Sequence, residues 1–117
     1  MSSSLELARG LLGQVVTVKI DRPIGSRHPR HGFLYSANYG HMPGVIAPDG
    51  EELDAYLLGV DQPVECADGV VVAVMHRRDD DDDKLVVVPE GVTLNDEEIM
   101  AAVAFQEQFF ASEVLRR

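Results

Sequence analysis

Residues 69–88 read G-V-V-V-A-V-M-H-R-R-D-D-D-D-D-K-L-V-V-V, two apolar runs separated by a charged bridge. The first run, 69–76, is nearly continuous in apolar side chains, short and rich in β-branched residues, which is the signature of a central strand buried on both faces. The second, 85–88, is the returning strand, closed by Pro89-Glu90-Gly91. Residues 77–83 between them form a polar loop, so this stretch makes the chain a β protein.

More short strands flank this stretch at close intervals. Residues 14–20, Q-V-V-T-V-K-I, alternate Val16, Val18 and Ile20 against Thr17 and Lys19, a half-buried strand that Asp21-Arg22-Pro23 stops. Residues 55–60 read as a buried strand and 61–63 as a turn. Such spacing predicts a small β-barrel. Residues 2–13, with leucines interrupted by Gly10 and Gly13, predict a short arm or a poor helix. At the C-terminal end the period changes: Asn95 with Glu98 is a capping box, and Ile99, Val103, Phe105, Phe109 and Phe110 lay out one apolar helix face as far as about Val114. Ordinary burial preferences make these aromatics core packing against the barrel.

Composition bounds the function. The 117 residues, 45% of them hydrophobic, suit one domain, 1–117, able to bury a useful core. A single cysteine, Cys66, rules out an intrachain disulfide, and neither a leader nor an apolar stretch of membrane-crossing length is evident, so the expectation is a cytoplasmic, soluble protein with no membrane partner. The formal charge of −10 argues against a nucleic-acid partner held through its phosphates. Converging carboxylates have another use, because they recruit hard divalent cations such as Mg²⁺ or Mn²⁺.

Two acidic groups are placed to converge. Asp49, Glu51 and Asp54 surround a Pro-Asp-Gly turn within residues 38–58, and the run Asp79 to Asp83 precedes Lys84. The run lacks the interspersed spacing and sixth-position glycine of a calcium-binding loop. With Arg22, Tyr39 and Lys84 as donors, the pattern is metals on one side of a phosphate and fixed cationic and hydroxyl groups on the other. Residues 24–34 form a loop without period and the most basic segment of an acidic chain. Arg27, His28, Arg30 and His31, with Arg22 just ahead of them, make it a place to hold an anion.

N-Y-G followed by P-G, then D-G-E-E-L-D-A, then the acidic loop and K-L-V-V-V-P, resembles the soluble inorganic pyrophosphatases of family I, over roughly residues 18–89. The resemblance implies a five-stranded closed barrel of oligonucleotide-binding topology with a C-terminal helix packed against it, a homo-oligomer, and Mg²⁺-dependent hydrolysis of pyrophosphate to two phosphates. It makes Asp49 and Asp54 metal ligands, Asp54 the bridge between two ions, and Glu51 the counterpart of the aspartate that helps activate the attacking water. Asp79 and Asp82 match the remaining metal aspartates, with Asp81 or Asp83 fitting equally well. Arg22, Tyr39 and Lys84 match the phosphate-binding donors.

The departures shape the expectation too. Glu51 stands where the family has aspartate, and the extra methylene moves its carboxylate. The family's early metal-binding glutamate and phosphate-binding lysine have no clear counterparts. The expected Tyr-Lys pair falls near Phe110-Ala111. The segment Arg27 to His31 looks inserted, and its His28 and Arg30 could replace the lost donors. Two alternatives therefore accompany pyrophosphate hydrolysis: hydrolysis of another small phosphoanhydride or phosphoester on the same metal site, or non-catalytic metal or phosphate binding.

Overall fold

The computed structural model describes residues 3–48, 50–78 and 83–116. The elements in chain order are α1 (Ser3–Gly10), β1 (Val15–Arg22), β2 (Asn38–Ile46), β3 (Glu52–Leu57), β4 (Cys66–Arg77), β5 (Lys84–Val88), α2 (Asp96–Glu107) and β6 (Ser112–Leu115). Hydrogen bonding runs β1-β2-β3-β5-β4, and β1 pairs again with β4, closing a five-stranded barrel to which β6 is appended beyond β4. β3 and β5 are parallel, whereas the other pairs are antiparallel. Among the described residues no helix is long and apolar enough to cross a membrane.

Strand alternation sorts the apolar side chains into two cores. Val18, Met42, Leu53, Ala55, Leu57, Val71, Val74, Leu85 and Val87 come from all five barrel strands, so this cluster is the barrel interior, and Ala8 and Leu12 from α1 and its exit turn join it. The N-terminal segment is therefore a helix contributing to the core rather than a loose arm. The intervening residues Tyr56, Leu58, Ala73, Met75, Val86 and Val88 face outward and meet Ile99 and Val103 of α2. A bulge between Val71 and Ala73 shifts β4 by one residue, which is why Val71 and Val74 share the interior although three positions apart.

Two glycines are required by close approach. A Cβ on Gly40 would lie 1.8 Å from the Lys19 carbonyl oxygen across the β1–β2 crossing, and one on Gly69 would lie 2.5 Å from that of Val88. Both sit where strands pack most tightly to close the barrel.

The C-terminal expectation is corrected. α2 opens on the capping box, Glu98 N–H donating to Asn95 at 2.8 Å and Asn95 N–H to Glu98 at 2.9 Å, but it ends at Glu107 rather than near Val114. Residues Ser112–Leu115 then pair with β4, Val74 opposite Leu115 and Arg77 opposite Ser112. Phe109 and Phe110 lie in the connection, exposed, instead of on a buried helical face. Helical spacing alone could not distinguish these positions from a short edge strand behind a turn.

Candidate functional site

Strand register brings the donors together on the outer face of the barrel. Ala55 of β3 pairs in parallel with Leu85 of β5, so the preceding residues, Asp54 and Lys84, stand side by side facing out. Tyr39 of β2 is opposite Tyr56, two residues beyond Asp54, and Arg22 of β1 is opposite Tyr39. Diagonal neighbours on one face are within reach of a long side chain. Accordingly, the Tyr39 hydroxyl and the Lys84 ammonium each donate to Asp54 Oδ2 at 2.9 Å. Asp54 Oδ1 makes no hydrogen bond among the described residues, and the side chain is 35% exposed against 3% for Lys84.

Each residue of the N-Y-G motif has its own structural task. Asn38, fully buried, accepts from the Ile24 N–H at 3.1 Å and donates to the Gln62 carbonyl at 3.0 Å, pinning the basic loop to the barrel. Tyr39 points its hydroxyl at Asp54, and Gly40 lets β1 come close. The loop then folds back over the same face: His28 Nδ1 accepts from the backbone N–H groups of Arg30 and His31, both at 3.1 Å. These bonds favour the neutral ring. Partial burial lowers the His28 pKa further, as does the electrostatic influence of His31, Arg22 and Arg30.

These elements line a partly open cavity of about 690 Å³, with Asp54 and Lys84 from the barrel, His28, His31, Phe33, Tyr35 and Tyr39 from the loop side, and Arg77, Gln106, Phe109 and Phe110 from the other. Beneath it lies a buried polar network. Glu107 accepts from Arg77 Nε at 3.0 Å, Arg77 Nη2 at 2.7 Å, Ser112 Oγ at 2.6 Å and the Tyr56 hydroxyl at 2.5 Å. Gln106 donates to the Tyr56 oxygen at 2.7 Å and accepts from the Tyr35 hydroxyl at 3.1 Å. Burial alone would raise the Glu107 pKa, but the donors from Arg77, Ser112 and Tyr56 outweigh it and hold the carboxyl below its ordinary range. Burial, reinforced by the Glu107 charge, pushes the Tyr56 phenol up. Burial also raises that of Tyr35, against the pull of the adjacent Arg22. Both phenols are therefore neutral donors near pH 7.

Of the residues singled out in the sequence, Asp54, Tyr39, Lys84 and His28 line the cavity, and Arg22 lies beside Tyr35 at its edge. Arg30 is exposed and meets His28 through its backbone N–H. Glu51 is exposed in the β2–β3 turn, three residues ahead of Asp54, and is not part of the cavity wall. Asp49, Asp79 and Asp82 lie outside the described residues, as does Asp81. Asp83, which fitted the metal set equally well by sequence, is buried and held by structural partners, with His76 Nδ1 and Ser4 Oγ each 2.6 Å from its carboxylate.

A hard cation fits the carboxylate chemistry of Asp54, whose Oδ1 is available, although among the described residues no three His, Cys, Asp or Glu side chains group to hold a metal.

Sequence reasoning passed over Arg77, Gln106 and Glu107. A signal was present: Gln106 and Glu107 fall on the stripe of Ile99 and Val103, and polar residues at core positions of an amphipathic helix mark a buried network.

The family model described as inorganic pyrophosphatase matches residues 15–112. Solved structures of similar fold include inorganic pyrophosphatases from Ehrlichia chaffeensis, at 17% identity over 90% of this chain and 87% of that one with a TM-score of 0.71, and from Neisseria gonorrhoeae, at 22% identity over 86% and 80% with a TM-score of 0.64. The Helicobacter pylori inorganic pyrophosphatase is similar at 18% identity, 87% and 82% coverage and a TM-score of 0.63. At these identities the structures show the shared fold alone. No curated protein resembles the chain closely enough to count as a relative.

Proposed function

Since this chain belongs to the inorganic pyrophosphatase family and is by that membership an inorganic diphosphatase, we propose that it hydrolyses pyrophosphate to two phosphates in the cavity above Asp54 and Lys84. The observation that carries this reading is the convergence of Tyr39, Asp54 and Lys84, drawn from three strands and from the three motifs of the family pattern, in the wall of one cavity.

Lys84 and Tyr39 are fixed donors for phosphate oxygens, and Arg22, His28 and the backbone-anchored Arg30 segment supply more from the loop side. In the reaction a water oxygen bonds to one phosphorus, the bridging P–O bond breaks, and its electron pair leaves on the second phosphate. The family resemblance makes Glu51 the acceptor for the water's proton, reaching the site from the exposed β2–β3 turn rather than from the cavity wall. Mg²⁺, or Mn²⁺, would be held by Asp54 together with Asp49, Asp79 and Asp82. When bound, it would neutralise phosphate charge and make water more acidic. Cytoplasmic residence, suggested by the single cysteine, and homo-oligomeric assembly, suggested by the family resemblance, belong to the same proposal.

Phosphate release from pyrophosphate, measured for the parent and Asp54→Asn with Mg²⁺ and with a chelator, tests this. Release that requires both Mg²⁺ and Asp54 is expected. Equal background rates in all four conditions would exclude pyrophosphate hydrolysis at this site.

A further inference from the structure

A bare diphosphate has no apolar part, yet much of this cavity's wall is aromatic. Its volume of about 690 Å³ falls within the range that holds organic ligands of drug size, about 300–1,000 Å³. From Tyr39, which is bonded to Asp54, rings follow one another outward: Tyr35 at 5.8 Å, Phe33 5.5 Å beyond it, and Phe109 a further 5.8 Å on. His31 lies parallel to Phe33 within 3°. The run ends in an apolar ring left 62% in water, where a helix end and the basic loop meet.

We propose that the site accepts a phosphoanhydride that carries an aromatic base, a nucleoside diphosphate, with its phosphates at Lys84 and its base stacked on Phe109 at the outer end of this series. The inference rests on the phosphoanhydride reading of the Asp54–Lys84 end given above. A base presents a flat π-face that stacks on aromatic side chains irrespective of its sequence-reading edge. The chain's net charge of −10 disfavours a polynucleotide, whose phosphates would extend over the acidic surface, and leaves a mononucleotide whose phosphates stay within the cavity. The chemistry balances without a further reactant. Water oxygen bonds to the terminal phosphorus, the anhydride P–O bond breaks with its electron pair on the nucleoside monophosphate, and orthophosphate and a proton are released.

The test compares adenosine diphosphate with pyrophosphate, both with Mg²⁺, in the parent and in Phe109→Ala, an exposed position that can be truncated without opening the core. Alongside, calorimetry measures binding of α,β-methylene adenosine diphosphate and of methylenediphosphonate, which cannot be hydrolysed. Phe109→Ala is expected to lower kcat/KM for adenosine diphosphate about 10-fold relative to pyrophosphate, and to weaken the methylene nucleotide about 10-fold relative to methylenediphosphonate. Pyrophosphate turnover with no binding of the methylene nucleotide would overturn the inference and leave the pyrophosphatase reading standing. Equal losses for both members of each pair would also overturn it. Phe109-dependent binding of the methylene nucleotide without pyrophosphate turnover would support the base site and sink the pyrophosphatase reading.

Discussion

Lys84 Nζ sits 2.9 Å from Asp54 Oδ2 because the parallel pairing of β3 with β5 sets these residues abreast on the barrel's outer face. The ammonium is almost wholly buried while the carboxylate is partly open to the cavity. A cation placed in this way is oriented before any substrate arrives, and preorganised charge lowers the barrier where negative charge develops on phosphate oxygens. Lys84→Met keeps the length of the stem and removes the charge. It is expected to cost about 100-fold in kcat for pyrophosphate, with the urea midpoint little changed, because the remaining carboxylate can still reach water. A loss of folding stability without loss of turnover in the fraction still folded would show that Lys84 is only structural.

Tyr39 holds the same Asp54 oxygen from the opposite side at 2.9 Å. Tyr39→Phe removes the hydroxyl and leaves the ring against Tyr56, whose centroid is 4.9 Å away, so packing is retained. A hydrogen bond to a charged group contributes about 1.5–3 kcal/mol, and a tenfold or somewhat larger fall in kcat/KM is expected. Steady-state kinetics at saturating Mg²⁺ checks it, and an unchanged value would show that Lys84 alone orients Asp54.

The barrel was legible because its strands are short, β-branched and punctuated by turn residues, and because N-Y-G and D-G-E-E-L-D sit in order along the chain. Those motif residues each act physically, since Asn38 clamps the loop, Gly40 admits β1, and Asp54 meets Lys84. What escaped reading depends on tertiary contacts. Phe109 and Phe110 carry helical spacing but lie beyond the point where Glu107 is fastened to Arg77, Tyr56 and Ser112, and the chain turns there to add β6. Tyr35 and Phe33 lie in a loop without periodicity, so nothing local showed that they would line the cavity. The role of Asp83 in binding His76 and Ser4 could not be separated from its identical neighbours by sequence at all.

Arg77 and Glu107 form a buried ion pair under the cavity, with the Arg77 guanidinium also 3.6 Å from the centre of the Phe110 ring. Removing one partner of such a pair leaves an uncompensated charge in a poorly solvated place, at a cost of about 3–5 kcal/mol. Glu107→Gln is expected to destabilise the fold by about that amount in urea titrations. The double variant Arg77→Met, Glu107→Gln should recover part of the loss, since methionine can keep the contact with Phe110 without a charge. Strictly additive single-variant losses would rule out the coupling.

The neutral state of His28 gives the loop a pH dependence whose sign follows from its bonds. Its pKa is held below the ordinary 6.5 by burial and by the electrostatic influence of His31, Arg22 and Arg30, while Nδ1 accepts two backbone N–H groups. In the unfolded chain the ring takes up its proton near 6.5; in the folded chain it does so only at lower pH. Between those values the unfolded state binds more protons, so stability falls as pH is lowered through that window and is fully restored above it. Urea midpoints at pH 7.5 and 5.5 are therefore expected to decline more steeply for the parent than for His28→Asn, whose side-chain oxygen can accept the same N–H groups but does not titrate. The phosphate-binding face of the loop should loosen over the same window, visible as a rise in KM for pyrophosphate that is smaller in His28→Asn. Parallel declines in both proteins would assign the acid sensitivity to other groups, with Glu107, whose folded pKa lies below the usual carboxylate range, losing its contribution only at lower pH still.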